Sequence, residues 1–548
     1  MKKFSLLTGV LSMLYVSIYA QEEMQTVWET KCDHKIENTG ISDKQGMLLA
    51  SDDKEITICK NADGRITWTK KFKDIAPGLS KVDEQIPMWE ANVVFLFDRK
   101  MGKDKIACVD VNSGTMLWMS DKYQDVTDEM VVYIPEMEAF AISTKTNLTM
   151  IKARTGEEIW TTTKFKGVVG AYLVGNDDHI VMLNYKPTAV AALFAGFKNQ
   201  IVKVNMKNGD VVWDQSYVGI AEKKVITREP IADIHLENGK IFLYLSGIQV
   251  YDYKTGAMQW SAAFDADHNV VPKPAGAKRF GVYGVVSKPI ISGNDVYVLD
   301  MQDKKKQYIK KYDLNSGKLL WTSPEIDGAK AIPGMYLSGT TLILQIGGVV
   351  ECQAYIYQRT RNSDGSWTIT ERWIVYYRNV KPNGMQAFDT RTGAKIWESE
   401  RFKKGITNAF VSGDNLLVCS GKALYSISIS EGKENYEVQL AADEINDAQK
   451  IIDYKDRVII VGEKGVSNHM KSDGKLMASG RWKSGDYAGM YGKYILFQRE
   501  NDDIAAYDVE TCKYKVYNAR KESISKLSDD GMYVYVWEKK SVTKLSTQ

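Results

Sequence analysis

The chain has 548 residues, 44% of them hydrophobic and 26% charged, with 42 Gly and 11 Pro. That composition excludes wholesale disorder and collagen-like structure. Its 72 basic and 69 acidic side chains leave a formal charge of +3, too even a balance for a nucleic-acid footprint.

The first twenty residues have the pattern of an export signal. Lys2 and Lys3 give a basic start, Leu6 to Tyr19 is mostly apolar, and Ala20 precedes a cut before Gln21. The apolar run is too short for a comfortable bilayer span. No Cys occurs in the first thirty residues, which does not support a lipid-attached N-terminus. Residues 1–20 are therefore expected to be a signal peptide, and 21–548 an exported chain of the periplasm or cell envelope. Export permits disulfides. Yet Cys32, Cys59, Cys108, Cys352, Cys419 and Cys512 show no C-x-x-C spacing, and they read as small buried hydrophobes on strands.

From there a repeat organises the chain. Asp110-Val-Asn-Ser-Gly114-Thr-Met-Leu-Trp118 recurs at Asp313 to Trp321 and at Asp389 to Trp397, and Asp252 to Trp260 keeps every fixed position. Copies without the leading Asp run from Gly64 to Trp68, Gly156 to Trp160 and Gly209 to Trp213. Worn copies follow at Gly432 with Tyr436, Gly474 with Ala478, and Cys512 with Val516. A β-rich run precedes each turn, and Gly there accepts positive φ at low cost. The Asp carboxylate is placed to accept bonds from turn N–H groups. The next strand carries the Trp, preceded by Leu117, Ile159, Val212, Leu320 or Ile396. Since neighbouring residues of a strand face opposite sides, this pattern predicts sheets buried on both faces, as blades between blades.

These units resemble the pyrroloquinoline-quinone-type (PQQ-like) repeat. In that repeat a turn Gly and a Trp lie at the junction of adjacent blades. The resemblance covers residues 24–548, most clearly up to Trp397. It implies an all-β propeller of four-stranded blades, about eight to eleven repeat units, read as one continuous domain (21–548) with two separate rings as the alternative. It also implies blade-docking roles for Trp28, Trp68, Trp118, Trp160, Trp213, Trp260, Trp321 and Trp397. The matching turn glycines are Gly64, Gly114, Gly156, Gly209, Gly256, Gly317 and Gly393. Thr26-Val-Trp28-Glu29 has no hairpin partner before it, and residues 541–545 have no Trp strand after them. The N-terminal strand is therefore expected to complete the last blade and leave no open edge.

Two groups share such repeats: quinoprotein dehydrogenases and non-enzymatic propellers such as the outer-membrane-assembly scaffold lipoproteins. Many of the enzymes carry an adjacent Cys-Cys pair by the cofactor, which this chain lacks. Their calcium ligands find no residue-by-residue match. Asp265-Ala-Asp267-His268-Asn269 starts like a calcium loop but has Val270 and Gly276 where Gly and Glu are required. His34, His179, His235, His268 and His469 form no metal-binding pair. No catalytic residue, metal or cofactor is therefore predicted; PQQ and calcium belong to the alternative reading, a PQQ-dependent quinoprotein oxidoreductase.

Two insertions exceed the needs of the repeat. Pro187 to Phe197 is apolar and small-residue rich, with Leu193, Phe194 and Phe197 as candidate partner contacts. Tyr355 to Tyr377 places Asp364-Gly365 between alternating residues, a hairpin signature. It predicts one blade with long strands whose Arg361, Trp367 and Trp373 face a partner. The sequence as a whole reads as an exported, non-enzymatic propeller that binds an envelope protein or other ligand, with no transmembrane span and no nucleic acid.

Overall fold

A computed structural model describes residues 22–185, 197–217, 233–245, 247–262, 270–301, 306–361, 367–440, 445–481, 486–498, 503–520 and 522–548. Side chains of residues 357–361 and 367–371 also lie outside the description, as do those of Arg279, Asp486 and Gln498. Among the described residues eleven sheets follow one another along the chain. Each is built on four antiparallel strands, two gain a fifth, and they are numbered here in chain order. The first runs through Asn38–Ser42, Met47–Ser51, Glu55–Lys60 and Ile66–Lys71. The second occupies residues 84–120, the third 131–162, the fourth 168–215, the fifth 233–261 and the sixth 290–322. The seventh, eighth, ninth and tenth lie in residues 334–398, 406–439, 448–481 and 486–517.

Middle strands carry the core. All six residues of Val93–Asp98 and five of the six in Lys105–Asp110 are buried. A strand with no wet side needs another layer against each face, and the apolar clusters show those layers. Clusters join each sheet to the next in the chain, one of them spanning the fifth, sixth and seventh together. Phe95, Phe97, Cys108 and Trp118 of the second sheet, for instance, pack with Met130, Phe140 and Ile151 around the third. Another unites Cys32, Leu48, Ala50 and Cys59 with Tyr535, Trp537 and Val542. It joins the last sheet to the first. Sheet-to-sheet packing therefore runs in a cycle, and the molecule is a β-propeller of four-stranded blades.

The eleventh sheet is assembled from both ends of the chain. Ile524–Leu527, Tyr533–Glu538 and Ser541–Ser546 are joined by Gln25–Lys31, antiparallel, with Gln25 opposite Ser546 and Lys31 opposite Ser541. Glu22–Glu23 pairs in parallel with Lys513–Tyr517 of the tenth sheet. Cys32 and Ile36 then donate backbone bonds to the carbonyls of Lys540 and Lys539. Some fifteen residues thus touch the tenth and eleventh sheets before the first begins.

The source of two-faced burial differs from the sequence expectation. In ten sheets the register slips by one residue just before the Trp position, as between Met116 and Trp118. The residue ahead of the Trp is thus the extra, unpaired member of a β-bulge. Val212, Leu320 and Ile396 are accordingly exposed, not buried. It is the middle strands that are apolar on both sides.

The seventh sheet departs from the repeat. Its second and third strands run Thr341–Arg361 and Trp367–Asp389, paired with Arg361 opposite Trp367 and with one break, where residues 381–383 stand against Gly347. They reach well past the first strand, Gly334–Ser338, and the fourth, Lys395–Glu398. Ala277–Tyr283 pairs with the distal part of Thr341–Arg361, Ala277 opposite Ile356 and Tyr283 opposite Glu351.

Candidate functional site

At each seam of the repeat, one blade's Trp sits on the next blade's turn. Trp118 donates its indole N–H to the Ala153 carbonyl at 3.0 Å. Its ring covers Gly156 so closely that a Cβ there would stand 2.7 Å away. Gly156 has φ +68°, so both backbone conformation and space call for Gly. Trp68 bonds Val111 O at 2.8 Å and covers Gly114. Trp160 bonds Met206 O at 2.8 Å and covers Gly209, and Trp213 bonds Tyr253 O at 3.1 Å and covers Gly256. Trp321 bonds Thr390 O over Gly393, and Trp397 bonds Ile429 O over Gly432. Trp28 does the same across the closing seam, to Asn61 O at 3.3 Å and over Gly64. Trp260 covers Gly317, but its buried indole N–H finds no partner among the described residues. Trp118, Trp160, Trp213 and Trp397 are buried, whereas Trp28, Trp68, Trp260 and Trp321 are half-buried.

The worn seams keep the contact by other means. Tyr436 covers Gly474, and its hydroxyl donates to Lys471 O at 3.2 Å. Ala478 has no ring, so Asn468, its cross-strand neighbour, donates to Val509 O at 2.9 Å. Tyr514 fills the space from the opposite side, over Gly480. Cys512 stands in the turn position of Gly with φ +59°. Two cysteines correct the strand expectation: Cys512 is a half-buried turn residue, and Cys32 is buried but lies just past the strand Gln25–Lys31. All but Cys512 are buried, and burial pushes the Cys59 thiol up to about 12.

The turn carboxylates are structural acceptors. Asp110 takes bonds from the Ser113 N–H and hydroxyl and from Arg154. Burial works to raise its carboxyl, and those bonds outweigh it and hold it below the usual range. Asp389 is held low by Arg391 and the Thr392 turn donors. Between the fourth and fifth blades, Asp177 joins Lys203 at 2.8 Å and Tyr253. Those bonds outweigh burial and bring its carboxyl down to about 2.

The histidines are likewise engaged. His34 Nε2 contacts Thr57 Oγ1 at 2.7 Å. His469 bonds Gly474 O and Ser467 Oγ, and burial lowers its pKa. His179 contacts Asp177, and His235 stacks on Phe242 and Tyr244. Among the described residues no three His, Cys, Asp or Glu are grouped to hold a metal. The Asp265–Asn269 stretch lies outside the described residues.

Of the two insertions, 186–196 also lies outside the described residues, and Leu193 and Phe194 with it. Phe197 packs half-buried against the apolar cluster of the second and third blades. The hairpin is better described. Its turn and the side chains of Arg361 and Trp367 fall outside, but the shaft exposes Trp373, Val375 and Tyr377 at 49%, 57% and 64%. These alternate along one strand and share a face. Tyr355 meets Trp373 with ring centroids 5.4 Å apart. The sequence singled out Trp373; Val375 and Tyr377 were missed, although their period-two spacing from it was there to be used.

The profile of the family PQQ_2, outer membrane protein assembly factor BamB, matches residues 102–345. Over that span, somewhat less than half of the chain, the repeat resembles the BamB-type PQQ-like repeat. No curated protein matches it. Among solved structures, the computationally designed Ika8 protein aligns at 12% identity and TM-score 0.34, covering 71% of this chain and all of that one. BamB from Moraxella catarrhalis aligns at 12% identity and TM-score 0.26, covering 80% of this chain and 97% of that one.

Proposed function

We propose that this chain is an exported, non-enzymatic scaffold of the cell envelope that binds a protein through its long hairpin. One observation carries the reading. The 341–389 hairpin is extended well beyond what its blade requires, and the extension displays an apolar, aromatic face at Trp373, Val375 and Tyr377. Exposed aromatics clustered on a rigid element are the usual anchors of protein interfaces. The match to the outer membrane assembly factor family supports a scaffold over an enzyme. The basic and apolar start of the sequence supports export. No helix among the described residues is long and apolar enough to cross a membrane.

The test is a Trp373→Ala/Tyr377→Ala variant, used to capture cross-linked partners from envelope extract. Capture should fall by about tenfold, the loss of one or two anchor residues, with an unchanged thermal transition. Undiminished capture would remove the hairpin from the function. Adding pyrroloquinoline quinone and calcium to the purified protein should give the summed absorbance of the components. A shifted quinone band would favour the oxidoreductase instead.

A further inference from the structure

At the root of the hairpin lies a cleft of about 950 Å³. Four cations border it: Lys273, Lys330, Arg378 and Lys381. All four are exposed, and no carboxylate ion-pairs with any of them among the described residues. Arg378 lies over the Tyr376 ring at 5.2 Å, and Tyr376 and Val271 belong to the apolar floor.

The backbone along this cleft is unusual too. Residues 374–380 pair with Thr341–Arg361 on one side. The fourth strand of the blade pairs only at residues 386–388. The second edge of residues 374–380 thus has no strand partner among the described residues. Lining residues come from both faces of that strand, Tyr376 and Arg378 from one and Tyr377 and Asn379 from the other, with Lys381 just past its end. The cleft therefore runs along the open edge.

An open edge is a template for another strand. The cations that border the edge select what can pair there. A second copy of this chain would bring the same cations into register and be repelled. A chain with carboxylates at alternate positions would be attracted, its backbone paired and its acids set against Arg378, Lys381, Lys273 and Lys330.

We propose that the cleft at the hairpin root binds an acidic polypeptide segment in extended form, added as a strand to the free edge of residues 374–380. This rests on the scaffold reading, in which the aromatic face anchors the partner, and it names the chemistry of the segment bound beside that face.

The experiment uses the full chain and two fluorescein-labelled ten-residue peptides, one alternating Val and Glu, the other Val and Lys. The Val/Glu peptide should bind, and its affinity should fall about tenfold between 50 and 300 mM salt as charges are screened. It should also fall about tenfold in Arg378→Glu/Lys381→Glu, with the thermal transition intact, since both side chains are exposed. Amides within 374–380 should gain hydrogen-exchange protection on binding. Equal binding of the Val/Lys peptide, or no effect of the double charge reversal, would overturn the proposal. So would binding to phosphatidylglycerol vesicles with no binding of the Val/Glu peptide. The two readings fail separately. Partner capture that needs Trp373 while the acidic peptide is ignored refutes the cleft alone. Peptide binding with capture indifferent to Trp373 and Tyr377 refutes the aromatic anchor alone.

Discussion

Gly156 and Trp118 show what one repeat demands of its residues. Gly156 must hold φ +68° and must leave room for a ring at 2.7 Å. Gly156→Ala should therefore cost about 2–4 kcal/mol, combining left-handed strain with overpacking. Trp118→Ala should cost ~3–5 kcal/mol, as for other buried aromatics. Chemical denaturation of both single variants and the double checks this. Because the two residues touch, the double variant should cost less than the sum. A Trp→Phe pair separates packing from hydrogen bonding. Trp118 has an acceptor in Ala153 O, whereas the Trp260 indole N–H is buried without one. Trp260→Phe should be about 1 kcal/mol milder than Trp118→Phe; equal costs would show that the indole bond contributes nothing. His469 adds a pH dependence. Its folded-state pKa lies below the unfolded value near 6.5, because burial disfavours the charged ring. The unfolded chain therefore takes up the proton first. The stabilisation is complete above pH 6.5 and declines as pH falls below it, by at most about 1.4 kcal/mol per unit. In His469→Gln the slope of stability against pH between 6.5 and 5 should be shallower.

At the scale of strands and turns, the sequence exposed the period and hid the substitutions. Asp-x-x-x-Gly-x-x-x-Trp was readable because one residue type answers one physical need at each position: an acceptor, a left-handed turn, a flat donor. The long strands of the seventh blade were readable from Asp364-Gly365 and the wide interval between Gly317 and Gly393. The bulge before each Trp was not, since an unpaired residue leaves no compositional mark. Val212 and Ile396 look like core and are exposed. The ninth seam was hidden for another reason. Asn468 takes over the indole's bond, and Tyr514 supplies the bulk from the neighbouring blade, so the need is met at positions outside the motif. Asn468→Ala should thus destabilise by about 1–3 kcal/mol by stranding the Val509 carbonyl, unless Arg457, which also donates to it at 2.7 Å, satisfies it alone. Comparing Asn468→Ala with and without Arg457→Ala in denaturant titrations decides between them. The hairpin's cleft was illegible because Lys273, Lys330 and Arg378 come together only through pairing of Ala277–Tyr283 with a strand some seventy residues later.

Eleven blades in cyclic contact raise the question of what stops the cycle from opening. Ten seams join blades adjacent in sequence, so each can form locally. The eleventh needs the two ends of the chain: Gln25–Lys31 pairs with Ser541–Ser546, and that pairing carries Trp28 onto Gly64 of the first blade. Lys544 adds a bond to Asn61 O at 3.0 Å and Lys526 one to Thr39 O at 2.9 Å. The N-terminal segment contributes twice, because Met24 also packs against Leu496, Ile504 and Val534 at the preceding seam. Deleting residues 22–31 removes a strand of the eleventh blade and the Trp that seats on the first. It also bares the edge of Ser541–Ser546, an open template for aggregation. Loss at one seam leaves the first and last blades each with an unsupported face, and that defect is passed on because no blade is buried on both sides by itself. The deletion should therefore lower the melting temperature of the entire molecule in one transition and raise its aggregation rate. Supplying the missing strand as a peptide spanning residues 22–33 should restore part of both. Loss of protection confined to residues 524–546 in hydrogen exchange, with the other blades unchanged, would mean that the blades are held by their neighbours alone and that closure adds nothing to the whole.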